Sequence, residues 1–205
     1  MDQSTLKYYS DNAAQVAERY ESVVSNLSAH FMNSFIKSGK VLDIGCSSGR
    51  DLAVLHKLGF DCYGVDPTPE FVKIAQHTHP ELVGRIALGE LPDLKIPFGG
   101  DFDGVLCSAV LMHIDIEKLP ATAAAIQSCL KRGGRLLYSV PSKRLDVVAS
   151  NRDANGRLFI PDQASRLNSL FSDLGFIEIQ SWTNSDSIGR DAVEWVSVLL
   201  ELQAA

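Results

Sequence analysis

Val41-Leu42-Asp43-Ile44-Gly45-Cys46-Ser47-Ser48-Gly49-Arg50 is the stretch on which the fold turns. Residues 41–44 read as a short buried strand, and residues 50–58 as a helix with Leu52, Leu55 and Leu58 on one side. Between them the chain turns through Gly45 and Gly49. Without a Cβ, these glycines let the backbone bend sharply and come close to a ligand. The helix start beyond them presents unpaired N–H groups. In a doubly wound sheet, ligands bind outside the carboxyl ends of the strands, which is where this turn falls.

Working outward, residues 62–65 form a second strand and 70–77 a helix, with Thr68 placed to cap it and Pro69 at its first position. Residues 86–88 and 102–108 are the third and fourth strands. A helix over 115–130 closes in the order cation then glycine, Lys131-Arg132-Gly133-Gly134, and 135–140 is a fifth strand stopped by Pro141. A helix over 163–174 ends at Gly175. Strands over 176–181 and 192–200 follow, joined by the hairpin-like segment 182–191, which suits an antiparallel pair at a sheet edge. Short buried strands alternating with helices predict an α/β fold: a doubly wound, mostly parallel, seven-stranded sheet with an antiparallel last strand and helices on both faces. The expected organisation is one domain over 1–205. It has an N-terminal helical lid (1–39), a cofactor-binding core (40–140), and a substrate-side loop with edge strands (141–205).

The glycine spacing separates two kinds of nucleotide site. A dinucleotide fingerprint is G-x-G-x-x-G, whose middle glycine admits a pyrophosphate. Here the spacing is G-x-x-x-G, and Asp43 stands just before the turn. A carboxylate there repels a pyrophosphate and suits a cationic group such as the ammonium of an amino acid. Asp66 lies 23 residues further on (66 − 43). An acid ending a second strand about 20 residues past such a turn is placed to accept ribose hydroxyls.

The segment 41–50 resembles the first motif of class I S-adenosylmethionine-dependent methyltransferases, V-L-D-[IVL]-G-[CSA]-G-x-G, and departs from it at Ser47, where glycine is commonest. Leu88-Gly89-Glu90-Leu91-Pro92 resembles the family's segment after strand three, with Glu90 in place of the usual Asp. Phe102-Asp103-Gly104-Val105-Leu106-Cys107-Ser108-Ala109-Val110-Leu111-Met112-His113 resembles its fourth motif, and 131–137 its turn into strand five. These matches cover residues 40–140. The resemblance implies S-adenosyl-L-methionine as cofactor and S-adenosyl-L-homocysteine as product. It implies cofactor contacts from Tyr9, Asp43, Gly45, Cys46, Gly49, Asp66, Pro67, Glu90, Leu91 and Ser108. Within that set, Asp66 would take the ribose and Glu90 the adenine amino group.

The acceptor side is less legible. Tyr8, Tyr9 and Tyr20 lie on a segment similar to the lid helix of small-molecule methyltransferases, or pack there. His113 suits a general base and equally suits ordering its own loop. Arg144 and Arg157 flank a segment where relatives insert substrate loops, and arginines there can clamp an acidic substrate or stand in solvent. The expected function is methyl transfer to an O, N or S, less readily C, of a small-molecule acceptor. The rivals are a non-catalytic cofactor-binding regulator and a protein or tRNA methyltransferase.

Bulk properties bound these readings. The chain has 205 residues, 45% of them apolar, and a formal charge of -6, which argues against a dedicated DNA binder. The aromatic-amine motif N-P-P-[YF] of base methylation is absent. No stretch approaches the ~20 apolar residues of a membrane span. Cys46, Cys62, Cys107 and Cys129 form no C-x-x-C pair, so no metal site is expected. A reduced, cytoplasmic monomer or homodimer is the expectation.

Overall fold

The computed structural model describes residues 1–147, 149–161, 163–191 and 193–204. The two lid helices are α1 (Gln3–Asp11) and α2 (Ala13–Glu21), followed by a short α3 (Phe31–Ser34). The core then alternates β1 (Lys40–Ile44), α4 (Arg50–Lys57), β2 (Asp61–Asp66), α5 (Pro69–Thr78), β3 (Ile86–Leu88), β4 (Phe102–Ser108), α6 (Leu119–Cys129) and β5 (Leu130–Arg144). The chain closes with α7 (Gln163–Asp173), β6 (Phe176–Ser185) and β7 (Val193–Leu202). These make one seven-stranded sheet in the order β3-β2-β1-β4-β5-β7-β6. The β1–β2, β1–β4, β2–β3 and β4–β5 pairs are parallel, while β7 runs antiparallel to both β5 and β6. The expected architecture is therefore present, with β7 between β5 and the edge strand β6.

Strand alternation explains why both faces need helices. Leu42, Ile44, Val105, Cys107, Leu136, Tyr138 and Val140 belong to one core with Ala123 and Ile126 of α6 and Leu167 and Phe171 of α7. Their sequence neighbours Val41, Leu106 and Leu137 belong to a second core with Phe31, Leu52 and Leu55. A period of two with both sets apolar makes a strand buried on both sides. A third cluster, Ala13, Val16 and Ala17 of α2 against Phe71 of α5, docks the lid. All four cysteines are buried and unpaired. No helix of the described residues is long and apolar enough to cross a membrane.

Four local expectations are corrected. Pro141 does not stop β5, which continues to Arg144 with a register shift between Pro141 and Lys143. Strand β4 ends opposite Ser139, so at Pro141 only β7 flanks β5, and a missing N–H is tolerated beside a bulge. Arg144 thus sits on a strand end, not in a loop. The helix expected over 115–130 begins as a separate 3₁₀ turn, Ile116–Lys118, with α6 proper starting one residue before Pro120. Thr68 occupies the N-cap of α5, but its side chain makes no capping bond. Its backbone N–H instead donates to Asp66 Oδ1 at 2.8 Å. Ala192, expected to open the last strand, lies outside the described residues, and β6 extends to Ser185.

Candidate active site

The turn after β1 is held from below. Gly45 and Cys46 N–H both donate to the Val65 carbonyl, at 2.8 and 3.1 Å. Gly45 has φ +79°, and a Cβ there would stand 2.4 Å from Val110 Cγ2, so the loops after β1 and β4 touch because this residue is glycine. Gly49 caps α4 in the left-handed region, where a Cβ would press on Ala75, His79 and Leu82 at 3.2–3.3 Å. Its contribution is to helix packing, and it does not line the cavity.

Ser47 also lies in the left-handed region, at φ +50°, where glycine is free and serine is strained. Its Oγ is buried without a partner, while its backbone N–H donates to Asp66 Oδ2 at 2.9 Å. The variant Ser47→Gly keeps that N–H and removes the strain and the orphan hydroxyl. It is expected to raise Tm by about 2 °C, less than the full strain because glycine also loosens the unfolded chain. A fall in Tm on thermal denaturation, with cofactor affinity reduced, would instead make the hydroxyl a ligand.

These loops enclose a cavity of about 180 Å³ at the carboxyl ends of β1, β2, β4 and β5. One buried water needs only ~10–15 Å³ by the same kind of measure, so this is room for a ligand. Tyr9, Asp43, Gly45, Cys46, Asp66, Pro67, Ser108, His113, Arg144 and Arg157 all line it. Gly49, Glu90, Leu91 and Tyr8 do not. Leu91 is a core residue, and Glu90 accepts the Met1 ammonium at 2.8 Å, as does the Leu91 carbonyl. Met1, a cavity residue, therefore stands between Glu90 and the cavity.

Two acids dominate the β1–β2 side. Asp43 is 3% exposed, and its carboxylate takes no hydrogen bond from any described residue. Burial, then the charges of Asp51 and Asp66, holds its pKa well above the usual carboxylate range. A buried, unpartnered acceptor facing a cavity fits a cationic ligand group. Asp66 is pushed up to about 6 by burial, against the lowering effect of the Thr68 and Ser47 N–H bonds. Each of its oxygens uses one lone pair on those N–H groups and keeps another for hydroxyl donors. Both observations fit the amino-acid and ribose ends of S-adenosylmethionine, a test independent of the sequence motif. Arg50, bound to Asp51 at 3.0 and 3.2 Å and to the Tyr20 carbonyl at 3.3 Å, adds cationic charge beside them.

On the other side, His113 is buried, its Nδ1 lying 2.6 Å from the Leu158 carbonyl. That carbonyl can only accept, so Nδ1 carries the proton and Nε2 the lone pair. Tyr9 Oη lies 3.3 Å from Nε2 and accepts from Arg157 Nη1 at 3.3 Å. Burial depresses the His113 pKa to about 4, with the Leu158 bond opposing and the Arg157 and Arg144 charges adding to it. The imidazole is neutral at pH 7, and burial keeps the Tyr9 phenol protonated. Sequence reasoning missed Arg50, Phe71, Ser139, Phe159, Arg190 and Trp195 as lining residues. Arg50 follows the glycine turn directly, while no local pattern marks the others, which strand pairing and loop return bring in. Segment 182–191 closes over the site: Asp186, Ser187, Ile188 and Arg190 line the cavity.

Against known proteins, residues 13–176 match the model of a methyltransferase domain. The chain is 24% identical over 160 residues to an uncharacterized methyltransferase of Alkaliphilus oremlandii, covering 78% of this chain and 68% of that protein. It is 32% identical over 105 residues to a ubiquinone biosynthesis O-methyltransferase of Xanthomonas axonopodis pv. citri, covering 49% of this chain and 42% of the relative. The chain thus spans less than half the length of that relative. Its fold superposes with TM-score 0.73, at 19% identity, on the Burkholderia thailandensis 1,6-didemethyltoxoflavin-N1-methyltransferase, covering 98% of this chain and 88% of that one. That structure was solved with 1,6-didemethyltoxoflavin and S-adenosylhomocysteine bound.

Proposed function

Because the chain belongs to the methyltransferase-domain family with a class I fold, we propose that it moves the methyl group of S-adenosylmethionine to an O, N or S atom of a small-molecule acceptor. The observation that carries this reading is Asp43: a carboxylate kept 3% exposed, without a partner and at an unfavourable pKa, inside a cavity. Such a group costs the fold stability unless a cation arrives. When bound, the cofactor supplies a methyl carbon already activated by a sulfonium, so the protein's part is positioning and exclusion of water.

Each part of the chain has a share in that task. Asp43 accepts from the methionine ammonium, Asp66 from the ribose hydroxyls, and the loop from Ser108 to Val110 floors the methionine end. Glu90 and Leu91 take the adenine once Met1 moves off them. Tyr9 and α1–α2 roof the donor. His113 Nε2, unprotonated at neutral pH, takes a proton from the acceptor once the Tyr9 hydroxyl that donates to it gives way, as the acceptor's own lone pair attacks the methyl carbon. A roofed cavity favours a small acceptor over a folded protein or RNA, whose target group must reach past the lid. The toxoflavin-precursor ligand of the Burkholderia relative is an acceptor of that size class.

Calorimetric titration with S-adenosylhomocysteine tests the reading, and failure of both it and S-adenosylmethionine to bind overturns it. The pH dependence is part of the expected result. Asp66 must be ionised to accept two hydroxyls, and its pKa of about 6 means that ligand must expel a proton below that pH. Affinity should fall roughly tenfold per unit below pH 6 for the proton expelled from Asp66, and more steeply wherever Asp43, whose pKa is also raised, must give up its proton as well. An affinity unchanged down to pH 4.5 or so would remove Asp66 from the site.

A further inference from the structure

Three arginines line the acceptor half of the cavity: Arg144, at the end of β5, with Arg157 and Arg190 from the loops beside it. Each is held by an aspartate. Arg144 Nε and Nη2 donate to Asp146 at 2.6 and 2.7 Å. Arg190 Nε and Nη2 donate to Asp186 at 2.9 and 2.7 Å. Arg157 Nε and Nη2 donate to Asp153 at 2.9 and 2.6 Å. Asp186 in turn accepts from Trp195 Nε1 at 2.9 Å, which fixes it further. The Nη1 groups behave differently. Arg157 Nη1 is bound to Tyr9, whereas Nη1 of Arg144 and of Arg190 has no partner among the described residues. The Arg144 side chain is only 6% exposed and lines the cavity, so its unpaired donor is sheltered from bulk water.

The three ion pairs are oriented, which a simple charge count would hide. Of the three aspartates only Asp186 lines the cavity, while all three guanidiniums do. The carboxylates hold the planar forks rigid and all three guanidiniums line the cavity, an arrangement that suits an anionic oxygen pair. The walls between are flat. Arg144 Cζ lies 3.7 Å from the Phe159 ring centroid, and the His113 ring lies 4.7 Å from that same ring. Arg144 Cζ is therefore at most 8.4 Å (3.7 + 4.7) from the centre of the His113 ring, so both lie within reach of one small molecule. Trp195 and Tyr9 supply further aromatic surface around the same space.

We propose that the acceptor is a small planar acid whose carboxylate is held by the Nη1 edges of Arg144 and Arg190 while its nucleophilic atom faces His113. This rests on the methyltransferase reading and names the acceptor class for it. An anionic group placed there also offsets the Arg144 charge that acts on His113. A base next to it is then stronger with acceptor bound than without, which ties proton removal to occupancy.

The test uses the full chain saturated with S-adenosylhomocysteine. Para-hydroxybenzoate and a hydroxynaphthoate are titrated calorimetrically against their neutral carboxamides. The expected result is carboxylate binding at least ~10-fold tighter than the matching amide, from two charge-assisted bonds. Arg144→Gln and the more exposed Arg190→Gln should each bring the pair to within about 3-fold, and Arg132→Gln, whose Nη1 binds the Gln203 carbonyl elsewhere, should leave the preference intact. Equal binding of acid and amide, no binding of any acid, or a preference that survives both variants would overturn the proposal. Loss of S-adenosylhomocysteine binding in the wild-type chain would instead strike the methyltransferase reading, so the two failures are distinguishable.

Discussion

Asp43→Asn is expected to weaken S-adenosylmethionine and S-adenosylhomocysteine binding by about 100-fold or more while leaving the fold intact or slightly more stable. The substitution is nearly isosteric and removes only the charge. In the free protein that charge is a burden: burial and the neighbouring Asp51 and Asp66 raise the Asp43 pKa, so the folded state prefers the proton. For an acid whose folded pKa is raised, stability is lost as pH climbs from the ordinary carboxylate range through the folded value. The neutral amide abolishes that loss, so Tm at pH 7 should hold or rise. In the complex the same charge meets a ligand cation in a low-dielectric cavity, where removing one partner of a buried pair costs ~2–5 kcal/mol. Calorimetry and thermal denaturation of one variant thus give opposite signs. A variant that binds normally, or one that loses binding only because it unfolds, would deny Asp43 this role.

The second large effect is on turnover. His113→Ala is expected to lower methyl transfer at least ~100-fold with cofactor affinity unchanged. The structural case is the tautomer: Leu158 holds the Nδ1 proton and leaves Nε2 basic, in hydrogen-bond reach of Tyr9. A merely structural His113 would act through the loop that carries Leu158, so thermal stability must be followed alongside the rate. His113→Asn serves as the comparison, since it restores a polar group without a base. A near-normal rate of labelled methyl incorporation in either variant would rule out a base at this position.

Much of the donor side was legible because its residues are consecutive. Strand, acid, glycine turn and helix occupy ten positions, and Asp66 follows at a spacing that one βαβ unit sets. Backbone sterics at Gly45 and the N–H bonds to Val65 and Asp66 are local facts, and local facts are written in a local sequence. The acceptor side was legible only as a list of candidates. Arg144 was expected in a loop because Pro141 reads as a strand end. Only the pairing with β7 carries β5 past it. Trp195 carried no signal at all, since its place depends on β7 inserting between β5 and β6. His113 read equally well as base or scaffold until Leu158, 45 residues away, fixed its tautomer.

The sequence by itself determined the alternation of buried strands and helices, the methyl-donor turn and its acids. Periodicity and glycine placement act over a few residues and need no partner to be read. Only the tertiary structure decided that Asp43 is left without a bond, that Met1 stands against Glu90, and that Asp146 and Asp186 hold Arg144 and Arg190 while leaving one edge of each unpaired. Those depend on which groups burial brings within reach and on which it leaves unpaired. Hydrogen bonding and desolvation between distant segments are set by packing, and packing is not a property of any one stretch of the chain.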